Sequence, residues 1–247
     1  VSYTLSEAVA SGTVTFTRTG GSLDGSSPHE QDLTGAELNT GAHNTITLTN
    51  NPTLEDGAIY SIAFDATDAA GNAATPVSNT GITYDVTTAA PTLATPAENS
   101  IDNGTLAIDF TLPEAASSGT VKMTFTHTSG TADNNAPHII TFTSDFETAS
   151  QHTTTLTGTD LSVNANVSSV DTNPTDALVE GAIYSVKIEY QDEAGNTAAS
   201  VTNSTFTYDI TAPTISSTAP AQDATINNTQ VSYTLSEAVA SGTVTFT

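Results

Sequence analysis

The sequence contains no cysteine and no tryptophan, and only three of its 247 residues are lysine or arginine. Without cysteine, disulfide bonds, thiolate metal sites and thiol catalysis are excluded. The acidic residues leave a formal net charge of −24. This charge argues against nucleic acid as a partner and against membrane insertion or binding to anionic membranes, because nucleic acid and anionic surfaces attract lysine and arginine. The acidic residues are spread along the chain, so an acidic disordered tail is also excluded.

What the sequence does contain is repetition. The stretch VSYTLSEAVASGTVTFT occupies residues 1–17 and recurs without a change at residues 231–247. A diverged copy, IDFTLPEAASSGTVKMT, lies between them at residues 108–124. Self-similarity at a fixed period is the mark of a repeat protein. We therefore expect the chain to be a piece cut from a longer tandem array.

The repeat has a period of 230 residues that divides into two unequal units. Leu5 and Leu112 are separated by 107 residues, and Leu112 and Leu235 by 123. Each unit has the normal size of a single domain with its own core. The second unit is longer by an insertion that we place near residues 158–172.

Short stretches of alternating apolar and polar residues predict β-strands in both units. Examples are TVTFT at 13–17, TITLT at 45–49, IYSIAFDA at 59–66 and IYSVKIEY at 183–190. Such alternation places one face on a core and the other in water. In the middle unit we predict seven strands, A to G, near 91–96, 106–112, 119–127, 138–144, 152–157, 182–190 and 204–210.

Longer motifs carry a resemblance to a known family. EDGAIYSIAFDATDAAGN at 55–72 matches VEGAIYSVKIEYQDEAGN at 179–196, and TYDITAPTISSTAPAQDATI follows at 207–226. The chain resembles the bacterial Ig-like tandem repeats of giant secreted adhesins and cell-surface fibres over nearly its whole length. The resemblance implies an all-β fold of tandem immunoglobulin-like sandwiches, with about seven strands each, in an extended rod.

The same resemblance gives the domain boundaries that we expect. Residues 1–88 form an Ig-like domain that lacks its first strand, and residues 89–211 form a complete one. Residues 212–247 supply the first strands of a third domain. The short proline-bearing junctions predict stiff connections, because proline fixes φ.

Acidic turns are the best candidates for a binding site. In a seven-strand sandwich, the B–C turn with Glu114 and the F–G turn with Asp192 and Asn196 lie at the same pole, where Asp85 arrives from the preceding domain. Carboxylate and amide oxygens suit Ca²⁺, which accepts irregular geometry. The sequence therefore predicts Ca²⁺ at the domain junctions, and the equivalent residues at the other junctions are Glu7, Asp68, Asn72, Asp209 and Glu237.

An alternative for these turns remains open. D-x-A-G-N is also a tight turn, in which Asp and Asn bond to nearby backbone and Gly takes a positive φ. On this interpretation the carboxylates serve the turn and no ion is needed.

The histidines and the missing catalytic motifs argue against chemistry at any site. His29 and His138 occupy equivalent positions after proline, but no H-x-x-x-H pattern accompanies them. We interpret all five histidines as solvated or at strand edges. G-x-S-x-G and Gly-rich phosphate loops are also absent. We therefore expect that the protein is not an enzyme.

Three functions are compatible with the sequence. The first is a stiff, secreted or cell-surface stalk that presents a distal adhesive element, with neighbouring repeats of the same chain as its contacts. The second is a subunit of a multi-chain extracellular filament, because Thr-rich edge strands of low charge permit strand addition between copies. The third is a carbohydrate-binding module, which would need exposed aromatic side chains; the sequence instead places Tyr60, Tyr84, Tyr184 and Tyr208 inside strand patterns.

Overall fold

The computed structural model describes residues 1–171 and 176–247, and these residues form an all-β protein with two compact units. The first unit comprises residues 1–89 with residues 191–198, and the second comprises residues 90–190 with residues 199–247. The helices in the described ranges are short 3₁₀ turns at Gly35–Leu38, Ser144–Phe146 and Leu161–Val163. None of them is long and apolar enough to cross a membrane.

The first unit contains two antiparallel sheets. Its strands are β1 (Tyr3–Leu5), β2 (Ser11–Gly21), β3 (His29–Asp32), β4 (Gly41–His43), β5 (Ala58–Thr67) and β6 (Val77–Tyr84). One sheet is two-stranded, β1–β4, and the other is four-stranded in the order β3–β2–β5–β6. Alternate side chains of β2, among them Val14 and Phe16, pack with Leu33, Leu48 and Tyr60 in a small core.

The second unit is larger and also has two principal sheets. Its strands are β7 (Thr92–Thr95), β8 (Ile101–Asp102), β9 (Thr105–Thr111), β10 (Lys122–Gly130), β11 (His138–Phe142), β12 (Gln151–Thr157), β13 (Val167–Asp171), β14 (Ala182–Glu189) and β15 (Val201–Tyr208). The sheets have the orders β12–β9–β7 and β13–β11–β10–β14–β15–β8.

Aromatic residues fill the core of the second unit. Phe110 from β9 packs against Phe142 from β11, with ring centroids 5.3 Å apart. Phe125 from β10 meets Tyr184 from β14 edge to face, at 6.4 Å. The first contact joins strands of the two sheets, and the second joins neighbouring strands of the six-stranded sheet. Both lie in one apolar interior, which is consistent with a β-sandwich.

Residues 212–247 carry the last two strands, β16 (Ile215–Ala219) and β17 (Ser232–Leu235). They pair antiparallel in a separate two-stranded sheet. The division of the chain into domains at residues 88/89 and 211/212 remains a prediction.

The seven predicted strands of the middle unit are confirmed as β7, β9, β10, β11, β12, β14 and β15. The two-residue strand β8 and the strand β13 were not predicted. β13 lies in the predicted insertion at 158–172, of which Thr172 is outside the described residues, and it pairs with β11.

The strand predicted for TITLT at 45–49 is wrong. Thr45 has φ of 48°, which turns the chain out of an extended conformation. Ile46 instead exchanges backbone hydrogen bonds with Val1, and β4 pairs with β1 just before this stretch.

Candidate functional site

The turn at residues 191–198, which belongs to the first compact unit, contains the best-organised acidic group. Asp192 is buried, and its Oδ1 accepts the Asn196 backbone N–H at 2.8 Å. The Asn196 Nδ2 donates to Asp192 Oδ2 at 2.8 Å and to Asp85 Oδ1 at 3.2 Å. Carboxylate oxygens of Asp85 and Asp192 lie within 4.8 Å of each other. The structure thus brings together three of the predicted site residues.

The geometry of this turn explains both interpretations of its sequence. Gly195 has φ of 92° and its N–H donates to Asp192 O at 3.1 Å, as a tight turn requires. Each carboxylate oxygen of Asp192 already accepts a hydrogen bond from Asn196. The Asp85 carboxylate beside them adds a second negative charge, and a cation would reduce the repulsion between the two.

Glu114 lies in the second unit. Its Oε1 accepts a hydrogen bond from the Tyr190 hydroxyl at 3.3 Å. The prediction that Glu114 meets Asp85 and Asp192 depends on how the two units are arranged, and it remains a prediction.

The equivalent turn at residues 68–72 repeats the same hydrogen bonds. Asp68 Oδ1 accepts the N–H groups of Ala70 and Asn72 at 2.8 Å, and Asn72 Nδ2 donates to Asp68 Oδ2 at 2.8 Å. The bonds from Asn72 hold the pKa of Asp68 below its usual value. Glu7 is exposed and lines the same groove as Asp68 and Asn72.

The last two predicted site residues, Asp209 and Glu237, line one surface groove in the second unit, together with Asp102. Asp209 Oδ1 accepts the Thr211 N–H at 3.2 Å, so this carboxylate also serves a local turn. Within residues 1–171 and 176–247, no group of three metal-ligating side chains comes within 4.8 Å at this groove.

A polar group that the sequence analysis missed is buried in the second unit. His138 and Asp133 are buried, and the Asp133 Oδ2 accepts hydrogen bonds from His138 Nε2 at 2.8 Å and from the Tyr184 hydroxyl at 2.6 Å. The Tyr184 oxygen in turn accepts the Val179 N–H at 2.8 Å. We call this set the Asp–His–Tyr contact.

The first unit contains the same Asp–His–Tyr contact. Asp24 Oδ2 accepts from His29 Nε2 at 2.6 Å and from the Tyr60 hydroxyl at 2.7 Å, and the Tyr60 oxygen accepts the Glu55 N–H at 3.1 Å. In both units the contact connects the loop that precedes β3 or β11 to strand β5 or β14. It recurs although most of the surrounding sequence differs.

Electrostatics at these contacts follow from burial and hydrogen bonding. The hydrogen bonds from Tyr60 and His29 lower the pKa of Asp24 to about 2. Burial of Asp133 acts to raise its pKa, but hydrogen bonds from Tyr184 and His138 outweigh burial, and the pKa is lowered. Burial raises the pKa of Tyr184, and its bond to Asp133 raises it further. Each contact therefore pairs an ionised carboxylate with a neutral phenol.

His138 and His152 are not solvated, because both are buried, and each lies at the start of a strand, β11 or β12. The reason is local packing. His138 is enclosed by the Asp–His–Tyr contact, and the His152 ring stacks on Phe146 at 5.0 Å. A pattern that could have revealed the first of these is D-x-x-x-P-H, which occurs at residues 24–29 and 133–138.

No protein-family model matches the chain, and no curated protein matches it either.

Proposed function

We propose that the chain is a structural repeat segment of a long extracellular surface protein, in which stacked Ig-like domains form a stiff stalk that presents a distal adhesive element. The observation that supports this proposal is the recurrence of the Asp–His–Tyr contact in both units. Because the contact is buried within each unit, we infer that it stabilises the fold of that unit. A substrate cannot reach side chains that lie in the core.

Other features of the described residues agree with a mechanical role. Each unit has its own apolar interior, so the free energy of folding is spread over repeated modules. The strongly acidic composition keeps crowded chains apart until cations screen them. We propose a secreted or cell-surface location on the same grounds.

We propose Ca²⁺ as a ligand of the predicted junction residues, beginning with Asp85, Asp192 and Asn196. The proposal is supported by the proximity of the Asp85 and Asp192 carboxylates, because carboxylate oxygens are ligands that Ca²⁺ accepts.

Small-angle scattering tests the stalk directly. Chains of one and of two 230-residue periods would be compared at the same ionic strength. A stiff stalk should nearly double its maximum dimension, whereas flexibly joined domains should grow only by about the square root of the length. A matched control replaces the junction at residues 87–91 with glycine and serine. If the unaltered and the glycine–serine chains give the same dimensions, the stalk proposal is wrong.

A multi-chain filament is the second candidate, because the Thr-rich strand β12 lies at the edge of its sheet and strands of this kind permit strand addition between copies. A carbohydrate-binding module has less support, because Tyr60, Tyr184, Tyr190 and Tyr208 are all buried.

A further inference from the structure

In the second unit, the segment by which the chain arrives is bonded to the strand by which it departs. The chain enters the two principal sheets of this unit through β7 and β8 and leaves them through β15. β8 pairs with β15 in parallel. The Thr207 N–H donates to Ser100 O at 2.9 Å. The Asp209 N–H donates to Asp102 O at the same distance of 2.9 Å.

Side chains extend this contact beyond the two residues of β8. Glu98 lies between β7 and β8, where its Oε2 accepts the Ser204 N–H at 2.5 Å and its Oε1 accepts the Thr205 hydroxyl at 3.1 Å. The Asn203 amide donates to Pro96 O at 2.7 Å. We call this set of bonds, which joins residues 96–102 to residues 203–209, the terminal-strand ladder.

The direction of the two strands determines how the terminal-strand ladder responds to a pull. Because β8 and β15 run the same way, the chain before β8 lies at one end of the pair and the chain after β15 lies at the other. A pull on the two chain ends therefore slides the strands along each other and strains the bonds between them together. If the strands were antiparallel, both chain ends would lie at one end of the pair, and the bonds would break one at a time.

The surrounding contacts direct a pull onto the terminal-strand ladder. β7 feels the pull first, but it is joined to β9 through only three residue pairs. β15 is anchored from the other side, because its side chains Phe206 and Tyr208 are buried in the core. The segment that contains Glu98 and β8 is thus the next part of the chain to be loaded, and its bonds to β15 resist its release.

We propose that the terminal-strand ladder carries tension through the second unit, and that Glu98 raises the force at which this unit unfolds. The inference rests on the proposed stalk function, because a stalk that presents an adhesive element is pulled at both ends. The two proposals can nevertheless fail separately. Scattering reports on the stiffness of the junctions between domains, whereas a pull across the second unit reports on the ladder within it.

The first test compares two directions of pulling in the full chain. Because the chain has no cysteine, introduced pairs of exposed cysteines can attach the handles of an optical-tweezers measurement. Ala90→Cys with Ala212→Cys slides β8 and β15 along each other, whereas Ala90→Cys with Ser200→Cys pulls the same ends of the two strands apart. The unfolding force should be at least about twofold higher in the first direction, because several bonds must break together. Equal forces in the two directions would overturn the proposal.

The second test removes the side-chain bonds of the ladder. In the first pulling direction, Glu98→Ala should raise the rate of unfolding at constant force about threefold to tenfold, because two hydrogen bonds are lost. Asp145→Ala, which removes an exposed carboxylate outside the ladder, should leave this rate unchanged. An unchanged rate in Glu98→Ala would show that Glu98 bears no load.

A third variant distinguishes resistance to force from stability of the whole unit. Tyr184→Phe removes a buried hydrogen bond outside the ladder, so it should lower the urea midpoint but leave the rate of unfolding under force unchanged. If Tyr184→Phe raises this rate as much as Glu98→Ala does, the resistance comes from the unit as a whole, and the proposal is wrong.

Discussion

The hydroxyl of Tyr184 donates a 2.6 Å hydrogen bond to Asp133, a residue 51 positions earlier in the chain. The corresponding bond from Tyr60 to Asp24 in the first unit is 2.7 Å long. In each unit the bond fastens a surface loop to a central strand of the larger sheet. Because each carboxylate also accepts a bond from a histidine, removing a single partner leaves a buried charge with less compensation.

The first prediction concerns the phenol of this contact. Tyr184→Phe should reduce the free energy of unfolding of the second unit by about 1–3 kcal/mol, because Asp133 and the Val179 N–H each lose a buried partner. Urea unfolding followed by circular dichroism measures the change. Tyr233→Phe is the control, since Tyr233 is exposed and its substitution should stay within about 0.5 kcal/mol. Equal effects of the two substitutions would contradict a structural role for the contact.

The second prediction concerns acid. The folded pKa of Asp24, about 2, lies below its ordinary value of 3.8, and the pKa of Asp133 is lowered as well. A lowered pKa contributes stability that is fully present above pH 3.8 and is lost as the pH falls from 3.8 towards 2. Urea midpoints measured between pH 7 and pH 2 should therefore fall steeply in this acid window.

The variant Asp133→Asn separates this effect from general acid unfolding. It should be less stable at neutral pH and should show a shallower decline below pH 3.8, because one of the responsible carboxylates is gone. Asp145→Asn, at an exposed position, should keep the full decline. A decline of unchanged slope in Asp133→Asn would show that this carboxylate does not set the acid limit.

Much of the fold could be predicted from the sequence because strand alternation is a local property. The pattern in IYSVKIEY gives β14, whose burial alternates as expected. The pattern in TITLT fails because Thr45 adopts a left-handed conformation that the pairing of Val1 with Ile46 holds in place. Strand β8 could not be predicted, because two residues carry no period and its parallel pairing with β15 is a tertiary contact.

The candidate site divides in the same way. The hydrogen bonds of Asp68 with Asn72 and of Asp192 with Asn196 follow from the D-x-A-G-N motif alone. The Asp–His–Tyr contact was missed because its Asp and His look like ordinary loop residues, and only the distant tyrosine makes them part of the core. The repetition of D-x-x-x-P-H in both units was the available indication.

The third prediction concerns two glycines whose backbones touch. Gly130 has φ of 79°, and a Cβ at this position would collide with the carbonyl oxygen of Gly181, the residue just before β14. Gly130→Ala should therefore destabilise the second unit by about 1–3 kcal/mol. Gly25→Ala, where no atom lies within 4 Å of the added methyl group, is the control. Thermal unfolding should show a lowered midpoint for Gly130→Ala alone, and no loss in this variant would mean that the strands can separate freely here.

The fourth prediction tests Ca²⁺ at the group formed by Asp85, Asp192 and Asn196. Extracellular calcium modules bind with dissociation constants of about 10⁻⁴–10⁻³ M. About 10 mM Ca²⁺ should then stabilise the protein by about 1.4 kcal/mol or more relative to EDTA, seen as a rise in melting temperature of a few degrees. An equal concentration of Mg²⁺ should have a smaller effect, because Mg²⁺ demands octahedral geometry.

Two matched substitutions distinguish an ion site from a turn. Asp192→Asn and Asp68→Asn alter the same position of the same D-x-A-G-N motif. The Asn196 Nδ2 donates to Asp192 and also to a second carboxylate, that of Asp85, whereas the Asn72 Nδ2 donates to Asp68. If Ca²⁺ binds at this group, Asp192→Asn should abolish most of the calcium-dependent rise, while Asp68→Asn should lower stability with and without calcium alike. If the two variants retain the same calcium response as the unaltered chain, the carboxylates serve the turns alone, and the calcium proposal fails for this group.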